Sequence, residues 1–283
     1  MSETRSTAWL LGPSVPLVSQ DQPPLTVMRA FGVEGPFRLL EGGQDGAWAA
    51  EGLVFKQGSG LLQQWLADVV PELKQDGFRL ASPRCSRDGS WSVQGWTASA
   101  WIVGAGPTTF TVSTVQAILT AGRAFHAAAG RLGPPPFLAA RRDWWARADR
   151  AAWGERPVQF HPALSAVAAR LTAALEPLSR PQVVHGDMTN NVLFAPGVAP
   201  GIIDISPYWR SPEYAEGVVV ADALCWHDAP SSLPEEVGVS VSAVARALLF
   251  RLATTNERVR GGDHIDLRDE AHRYAIATAA IGL

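Results

Sequence analysis

The chain has 283 residues, 47% of them hydrophobic and 18% charged, which is enough to bury one large core or two and too apolar for a disordered chain. Its formal net charge of -3 gives no electrostatic footprint for nucleic acid or for an anionic membrane surface. The two cysteines, Cys85 and Cys225, can frame neither a disulfide scaffold nor a metal cluster at that separation, and they suit a reducing cytoplasm.

Residues 1–24 lack a basic start followed by a long apolar core, and Gly12, Pro13 and Pro16 interrupt their only apolar run, so they read as an arm and not as a signal peptide. From Phe37 to Trp101 the pattern is mainly that of strands, with runs at Phe37–Leu40, Ala47–Ala50 and Leu53–Lys56. The first two runs are joined by Glu41-Gly42-Gly43-Gln44-Asp45-Gly46, whose glycines let backbone amides approach a phosphate closely; a flexible hairpin turn has the same composition. Lys56, one of only two lysines, ends the third run. A helix is expected over Leu61 to Leu73, carrying Gln64, Asp68 and Glu72, and Asp88-Gly89 signals a hairpin between Phe78–Leu80 and Trp91–Val93.

From Thr111 onward the spacing becomes helical. Val115, Ile118, Leu119, Gly122 and His126 form one stripe, and Leu164, Val167, Leu171, Leu175 and Leu178 form another that Pro181 ends. Between them Pro134–Pro136 marks a stiff connection, and Arg141-Arg142-Asp143-Trp144-Trp145 reads as a helix start with an inner aromatic face. Arg246 and Arg251 interrupt the late apolar run VSAVARALLFRLA, so no segment has the length and apolarity of a membrane helix. His126, His161, His227, His264 and His272 show no metal-type spacing. Asp222 sits in a run so apolar, Val218 to Leu224, that its carboxylate must find a partner or lose its charge.

The densest chemistry lies between Val183 and Ser206, VVHGDMTNNVLFAPGVAPGIIDIS. Val192–Phe194 and Ile202–Asp204 read as two antiparallel strands around Ala-Pro-Gly-Val-Ala-Pro-Gly. A turn symmetric about its middle would oppose positions summing to 395 and set Asn191 across from Asp204. Asp187, in His185-Gly186-Asp187, opens the loop that runs into Asn191, so Asp187, Asn191 and Asp204 are expected at a single edge. Two oxygen ligands from different strands suit Mg²⁺, and a further carboxylate outside the metal shell can accept or orient a hydroxyl proton. The plainer reading is that Asp, Asn and Gly are common in any tight connection.

His-Gly-Asp followed by Asn and then Ile-Ile-Asp resembles the aminoglycoside phosphotransferase-like superfamily, kinase-fold enzymes that phosphorylate small molecules; the short loop followed by IID-x-SPYW is similar to an actinobacterial branch of it. The resemblance implies an α+β, two-lobed protein-kinase-like fold, with an antiparallel-sheet lobe over residues 1–103 and a helical lobe over 104–283. It implies that Asp187 is the catalytic aspartate, that His185 braces the loop, and that Asn191 and Asp204 hold Mg²⁺. ATP would lie against Gly42, Gly43, Gln44 and Gly46, with Lys56 at its phosphates and the backbone around Trp96, Ala98 and Ala100 as the hinge at adenine. Asp222 resembles the large-lobe aspartate that bonds the catalytic-loop backbone. Tyr208, Trp209 and Arg210 fall where the family's chain passes near the acceptor, although they could equally pack the loop against the large lobe. The expected partners are therefore a nucleotide and a small-molecule acceptor.

There is one departure from the family pattern. Three residues separate Asp187 from Asn191 where the pattern has four, and Asn191 is preferred over Asn190 because it abuts the strand Val-Leu-Phe. No glutamate stands in the middle of the 61–73 helix to pair with Lys56. Both features keep open the alternative of a nucleotide-binding pseudokinase or scaffold. The absence of an Ala-Pro-Glu-like segment after Asp204 argues against protein substrates.

Overall fold

The computed structural model describes residues 22–40 and 46–283. Its first part is a sheet of order β1-β2-β3-β6-β5, built from β1 (Arg38–Leu40), β2 (Ala47–Ala50), β3 (Leu53–Gln57), β5 (Pro83–Arg84) and β6 (Trp96–Ala100), with every pairing antiparallel. The β2–β3 reversal uses Glu51 and Gly52, both at positive φ. A short helix, α1 (Leu25–Ala30), lays Val27 and Met28 on this sheet, and the edges of the Phe31 and Phe37 rings meet the buried Phe55. Helix α2 (Gly60–Val69) starts on the Ser59 cap and is prolonged by a 3₁₀ turn over Val70–Glu72.

The second part is helical around two small sheets. Its elements are α3 (Val112–Ala129), α4 (Trp144–Ala152), α5 (Pro162–Ala173), β7 (Gln182–His185), β8 (Val192–Leu193), β9 (Gly201–Ile202), β10 (Pro207–Arg210), α6 (Pro212–Trp226), α7 (Leu233–Val237), α8 (Val241–Arg260) and α9 (Leu267–Ala280). Side chains of Thr111, Asp143, Ser211 and Ser240 cap α3, α4, α6 and α8 by accepting from the backbone N–H three residues on. Helix α8 is the axis: it is buried from Ser242 through Arg258 and packs against α4, α5 and α6. A helix buried on every side must find partners for its own charges, and α8 carries Arg251 and Glu257 among these buried residues. Among the described residues no helix is long and apolar enough to cross a membrane. The architecture is the expected α+β one of an antiparallel-sheet part followed by a helical part.

Three expectations about elements need correction. Phe78–Leu80 does not pair with Trp91–Val93: β4 (Arg79–Leu80) runs parallel to β9, and Phe78 and Leu80 bury themselves in the larger core, where the Phe78 ring meets Phe125 edge-on. Asp88-Gly89 does make a tight turn, closed by Ser86, but the chain that flanks it pairs elsewhere. The second helical stripe stops at Ala173 and not at Pro181, because the Glu176-Pro177 step disfavours helix for the residue before proline. Leu175 and Leu178 still pack on the core from the irregular segment that follows the helix.

The third correction moves the hinge. β6 lies between β3 and β5, so its peptide groups are spent on ladders: Ala98 faces both Phe55 and Arg84, the Ala100 N–H goes to Ser82 O, and Trp96 closes a bridge with Val93. The side chains of Trp96 and Ala98 are buried in the core of the sheet. Trp96, Ala98 and Ala100 are therefore strand residues, and the segment expected as the link is part of the sheet. The link between the two parts follows them, over residues 101–111, and is pinned to the β8 hairpin by reciprocal Ala105–Phe194 hydrogen bonds of 3.0 and 2.9 Å.

Candidate active site

Strand β7 carries Val183 and Val184 into the core and ends at His185. Its partner β10 places Tyr208 opposite Val184, and the Tyr208 ring covers Gly186 so closely that a Cβ there would lie 2.5 Å from it. Only glycine fits between His185 and Asp187, which explains the middle residue of the triplet.

The His185 side chain organises the loop. Its Nδ1 accepts from the backbone N–H groups of Asp187 and Ser206, at 3.2 and 3.4 Å, so the ring proton is on Nε2, which donates to Ile203 O at 3.2 Å. One neutral imidazole thus ties together both segments that bear the site's carboxylates. The His185 N–H in turn donates to Nε2 of His126 on α3 at 3.2 Å. Burial lowers the pKa of His185 even though Asp187 opposes the shift, and burial followed by repulsion from His185 takes His126 down to about 3.

This makes the fold acid-sensitive in a defined window. Below the ordinary histidine pKa of 6.5 and down to about 3 for His126, the unfolded chain binds protons that the folded chain refuses, so stability falls as pH falls. The expected loss is about 1.4 kcal/mol per pH unit for each such group. Thermal melts between about pH 7.5 and pH 5 should show a falling Tm, and a flat profile would contradict the assignment of neutral, buried rings.

The β8–β9 hairpin forms, but one residue out of the expected register. Val192 faces Ile202 and Leu193 faces Gly201, so opposed positions sum to 394 and the turn centres on Gly197, at φ 76°. Asn191 therefore lies opposite Ile203, whose N–H donates to Asn191 O at 3.0 Å, and Asp204 is one position beyond, at φ 51°. The left-handed backbone at Asp204 turns it out of the hairpin toward the sheet, where its carboxylate forms an ion pair with Lys56 of β3. Lys56 thus finds its acid on the β8–β9 hairpin side and not on α2 or its 3₁₀ extension, where Gln64, Asp68 and Glu72 are exposed.

Asn191 turns back onto the loop. Its Nδ2 donates to Asp187 O at 2.6 Å and lies 3.5 Å from Asp187 Oδ2, whereas Asn190 is exposed, with its Nδ2 3.4 Å from His227 Nε2. With Nδ2 so engaged, Oδ1 of Asn191 is the atom left to ligate. Among the described residues no group of three or more His, Cys, Asp or Glu could hold a metal. Two oxygen donors completed by phosphate and water is nonetheless the ligand set Mg²⁺ uses, and Asn191 and Asp204 fit it. Asn191→Ala should depress Mg²⁺-dependent turnover about tenfold or more beyond Asn190→Ala, as loss of an ion ligand does; steady-state assays over a Mg²⁺ titration read this, and the reverse order would place the ligand at Asn190.

Asp187 is about half exposed, and one of its oxygens is already held: Arg251 Nη2 donates to Oδ1 at 2.8 Å. The same guanidinium grips Asp222, with Nε to Oδ1 at 2.7 Å and Nη2 to Oδ2 at 2.6 Å, and Thr189 Oγ donates to Asp222 Oδ2 at 2.8 Å. Asp222 accordingly reaches the loop through Thr189 and Arg251, not through its backbone. Burial works against the Arg251 charge, but Asp222 and then Asp187 outweigh it, and its pKa rises well above the ordinary arginine value. Arg251 escaped the sequence reading, which used it only to exclude a membrane helix. The available signal was complementary charge, since buried cation and buried anion each require a partner, and Arg251 and Asp222 each interrupt an apolar run.

Two of the residues expected at the acceptor are committed elsewhere. Arg210 is locked to Asp149 and Glu155, with Nη2–Oδ2 and Nη1–Oε1 distances of 2.6 Å each, and stacks on Trp153. Tyr208 is buried against Gly186 and Phe250. Trp209, on the other face of β10, is half-buried against the larger core. At the nucleotide end, Gly46 leads into β2, while Gly42, Gly43 and Gln44 lie outside the described residues.

The Phosphotransferase enzyme family model matches residues 67–206, a span that runs from α2 to just past the β8–β9 hairpin. Among solved structures, aminoglycoside phosphotransferase APH(4)-Ia is similar over 91% of this chain and 96% of its own, with a TM-score of 0.59 and 15% identity. A thermostable mutant of the same enzyme, in a ternary complex with ADP and hygromycin B, is similar over 91% and 97%, with a TM-score of 0.55 and 14% identity. A choline/ethanolamine kinase family protein from Mesorhizobium loti is similar over 89% and 90%, with a TM-score of 0.56 and 17% identity. Curated proteins give no sequence match. In fold the chain is similar to the aminoglycoside phosphotransferases and to the choline/ethanolamine kinase family protein.

Proposed function

We propose that this protein transfers the γ-phosphoryl group of ATP to a hydroxyl of a small molecule, in a site between a sheet lobe over about residues 1–103 and a helical lobe over 104–283. The observation that carries the reading is the convergence of Asp187, Asn191, Asp204 and Lys56, contributed by a loop, a hairpin and a strand of the sheet. Lys56 would meet the nucleotide phosphates, and Asn191 Oδ1 with the Asp204 carboxylate would hold Mg²⁺, which supplies charge neutralisation at the phosphates when bound. Asp187, outside that ligand set, would accept and orient the acceptor's hydroxyl proton through the oxygen that Arg251 leaves open. Little covalent work falls to the protein in phosphoryl transfer, so positioning by His185, Arg251 and Asn191 would carry much of the rate enhancement. The similar structure that holds ADP and hygromycin B supports a nucleotide and a small molecule as the partners.

The pseudokinase reading rested on the short loop and the missing acid. With the loop one residue short, Asn191 still contacts Asp187, and Lys56 has Asp204, so we do not favour it. An ADP-release screen over antibiotics, sugars, nucleosides and amino alcohols tests the proposal, and nucleotide binding without turnover on any acceptor would restore the scaffold reading. Kanamycin-type aminoglycosides should be poor acceptors. Over residues 104–283 there are 17 Asp and Glu against 16 Arg, and at least two of the carboxylates are taken by the site, leaving no acidic surplus to steer a polycation. Efficient turnover of kanamycin at micromolar concentrations would contradict this.

A further inference from the structure

Beside α4 lies an open groove of about 380 Å³ lined by Ala139, Arg142, Arg147, Arg150 and Arg156. Four guanidiniums share a single carboxylate among the described residues. Glu257 of α8 takes Arg147 at 2.5 Å and Arg156 at 2.7 Å, and it is buried. Among the described residues the Arg142 side chain bonds only backbone carbonyls, of Ala139 and Arg141 at 2.7 and 2.9 Å, and that of Arg150 bonds only Arg141 O, at 2.8 Å. The other carboxylates of this region are spent, Asp143 on Arg141 and both Asp149 and Glu155 on Arg210. The groove therefore holds three positive charges in excess, counting four arginines against Glu257.

Ordinary structural duties do not account for it. Arg150, in the last turn of α4, could have capped that helix's carbonyls; it reaches back to Arg141 O instead. Carbonyl contacts leave most of each guanidinium's five N–H donors free, and they hold the planes in place, which is how a preorganised oxyanion site is built. Its position is also suggestive. The Arg141 guanidinium stacks over the Tyr208 ring at 5.3 Å, and that ring rests on Gly186, the neighbour of Asp187. The segment that supplies Arg142 thus has the groove on one side and the base of the catalytic loop on the other.

We propose that this groove binds a phosphate monoester group carried by the small-molecule acceptor, anchoring it while a hydroxyl elsewhere on the molecule meets Asp187. A phosphate dianion suits an excess of guanidinium charge, and paired N–H donors match its oxygens. The identification of that ligand as the acceptor rests on the phosphotransferase reading above; the anion site itself does not.

The test is calorimetric titration of inorganic phosphate into wild-type protein, the double variant R142Q/R150Q and K56A, in low salt without other anions. These two arginines contact only carbonyls, so the double variant should keep the wild-type circular dichroism and ATP affinity. Phosphate should bind wild type and K56A alike and bind R142Q/R150Q about tenfold more weakly or worse, the loss expected of two charge-assisted contacts. Absence of binding to wild type, or a loss confined to K56A, overturns the site. Citrate run in parallel should bind more weakly than phosphate; tighter binding with the same variant dependence would overturn the phosphate assignment in favour of a carboxylate. In ADP-release assays, phosphate-bearing sugars should show KM values about tenfold below those of the parent sugars, with the advantage gone in R142Q/R150Q. Phosphate binding that fails in R142Q/R150Q, with no turnover of any acceptor, supports the site and overturns the phosphotransferase reading. Turnover of neutral acceptors with no phosphate binding does the reverse.

Discussion

Asp187→Asn should lower kcat by about 10²–10⁴-fold, the range for loss of a positioned proton acceptor, while leaving MgATP affinity within about twofold of wild type. The asymmetry follows from where the carboxylate sits. Asp204 pairs with Lys56 of β3, whereas Asp187 faces Arg251 and the Asn191 amide. An amide at position 187 keeps an acceptor oxygen for Arg251, and Asp222 keeps that guanidinium paired, so the fold should survive and the Tm should move little. What disappears is the basic oxygen that, on the proposed function, would take the hydroxyl proton. ADP-release kinetics read kcat, and nucleotide titration reads affinity. A variant with more than half the wild-type rate, or one that loses ATP binding along with turnover, would remove Asp187 from the role assigned to it.

The sequence was most informative where chemistry is local. The strands from Arg38 to Gln57, the α3 stripe and the His-Gly-Asp loop could be read from spacing and turn residues, because each element's pattern depends on itself. The one-residue error in the hairpin register came from assuming an even turn, whereas the backbone freedom of Gly197 sets an odd one. Asn191 approaches Asp187 all the same, through its side chain and not through a cross-strand pairing with Asp204. Trp96 to Ala100 read as a link and form a strand, because a strand followed by a link and a link alone look alike until the ladder partners are known. Least legible were the long-range charge pairs. Nothing near Arg210 announces Asp149 and Glu155, 61 and 55 residues away, so a guanidinium beside two aromatics resembled a binding surface when it was a structural clamp. Lys56 and Asp204, 148 residues apart, are the same lesson with the opposite outcome, since the acid sought on the neighbouring helix came from the end of the β8–β9 hairpin.

Arg251→Met should be the most destabilising of these substitutions, costing about 3–5 kcal/mol, because removing one member of a buried ion pair leaves the other without its counter-charge. Asp222 is that other member: it is buried on α6 and would keep only the Thr189 hydroxyl. Adding Asp222→Asn should return about 1–3 kcal/mol, since the amide still accepts from Thr189 and no longer carries a buried charge; the two sites are in contact, so their effects should not add. Denaturant midpoints at constant slope measure this. Activity should not follow stability. In the double variant Asp187 lacks the guanidinium that fixes Oδ1, and a misplacement of about 1 Å in a reacting group costs on the order of 10²-fold in rate. The double variant should therefore fold better than Arg251→Met and remain about as slow. If it is no more stable than the single variant, the Arg251–Asp222 pair does not hold α6 to α8 in the way argued; if it recovers wild-type kcat, Arg251 serves the core alone and does not position Asp187.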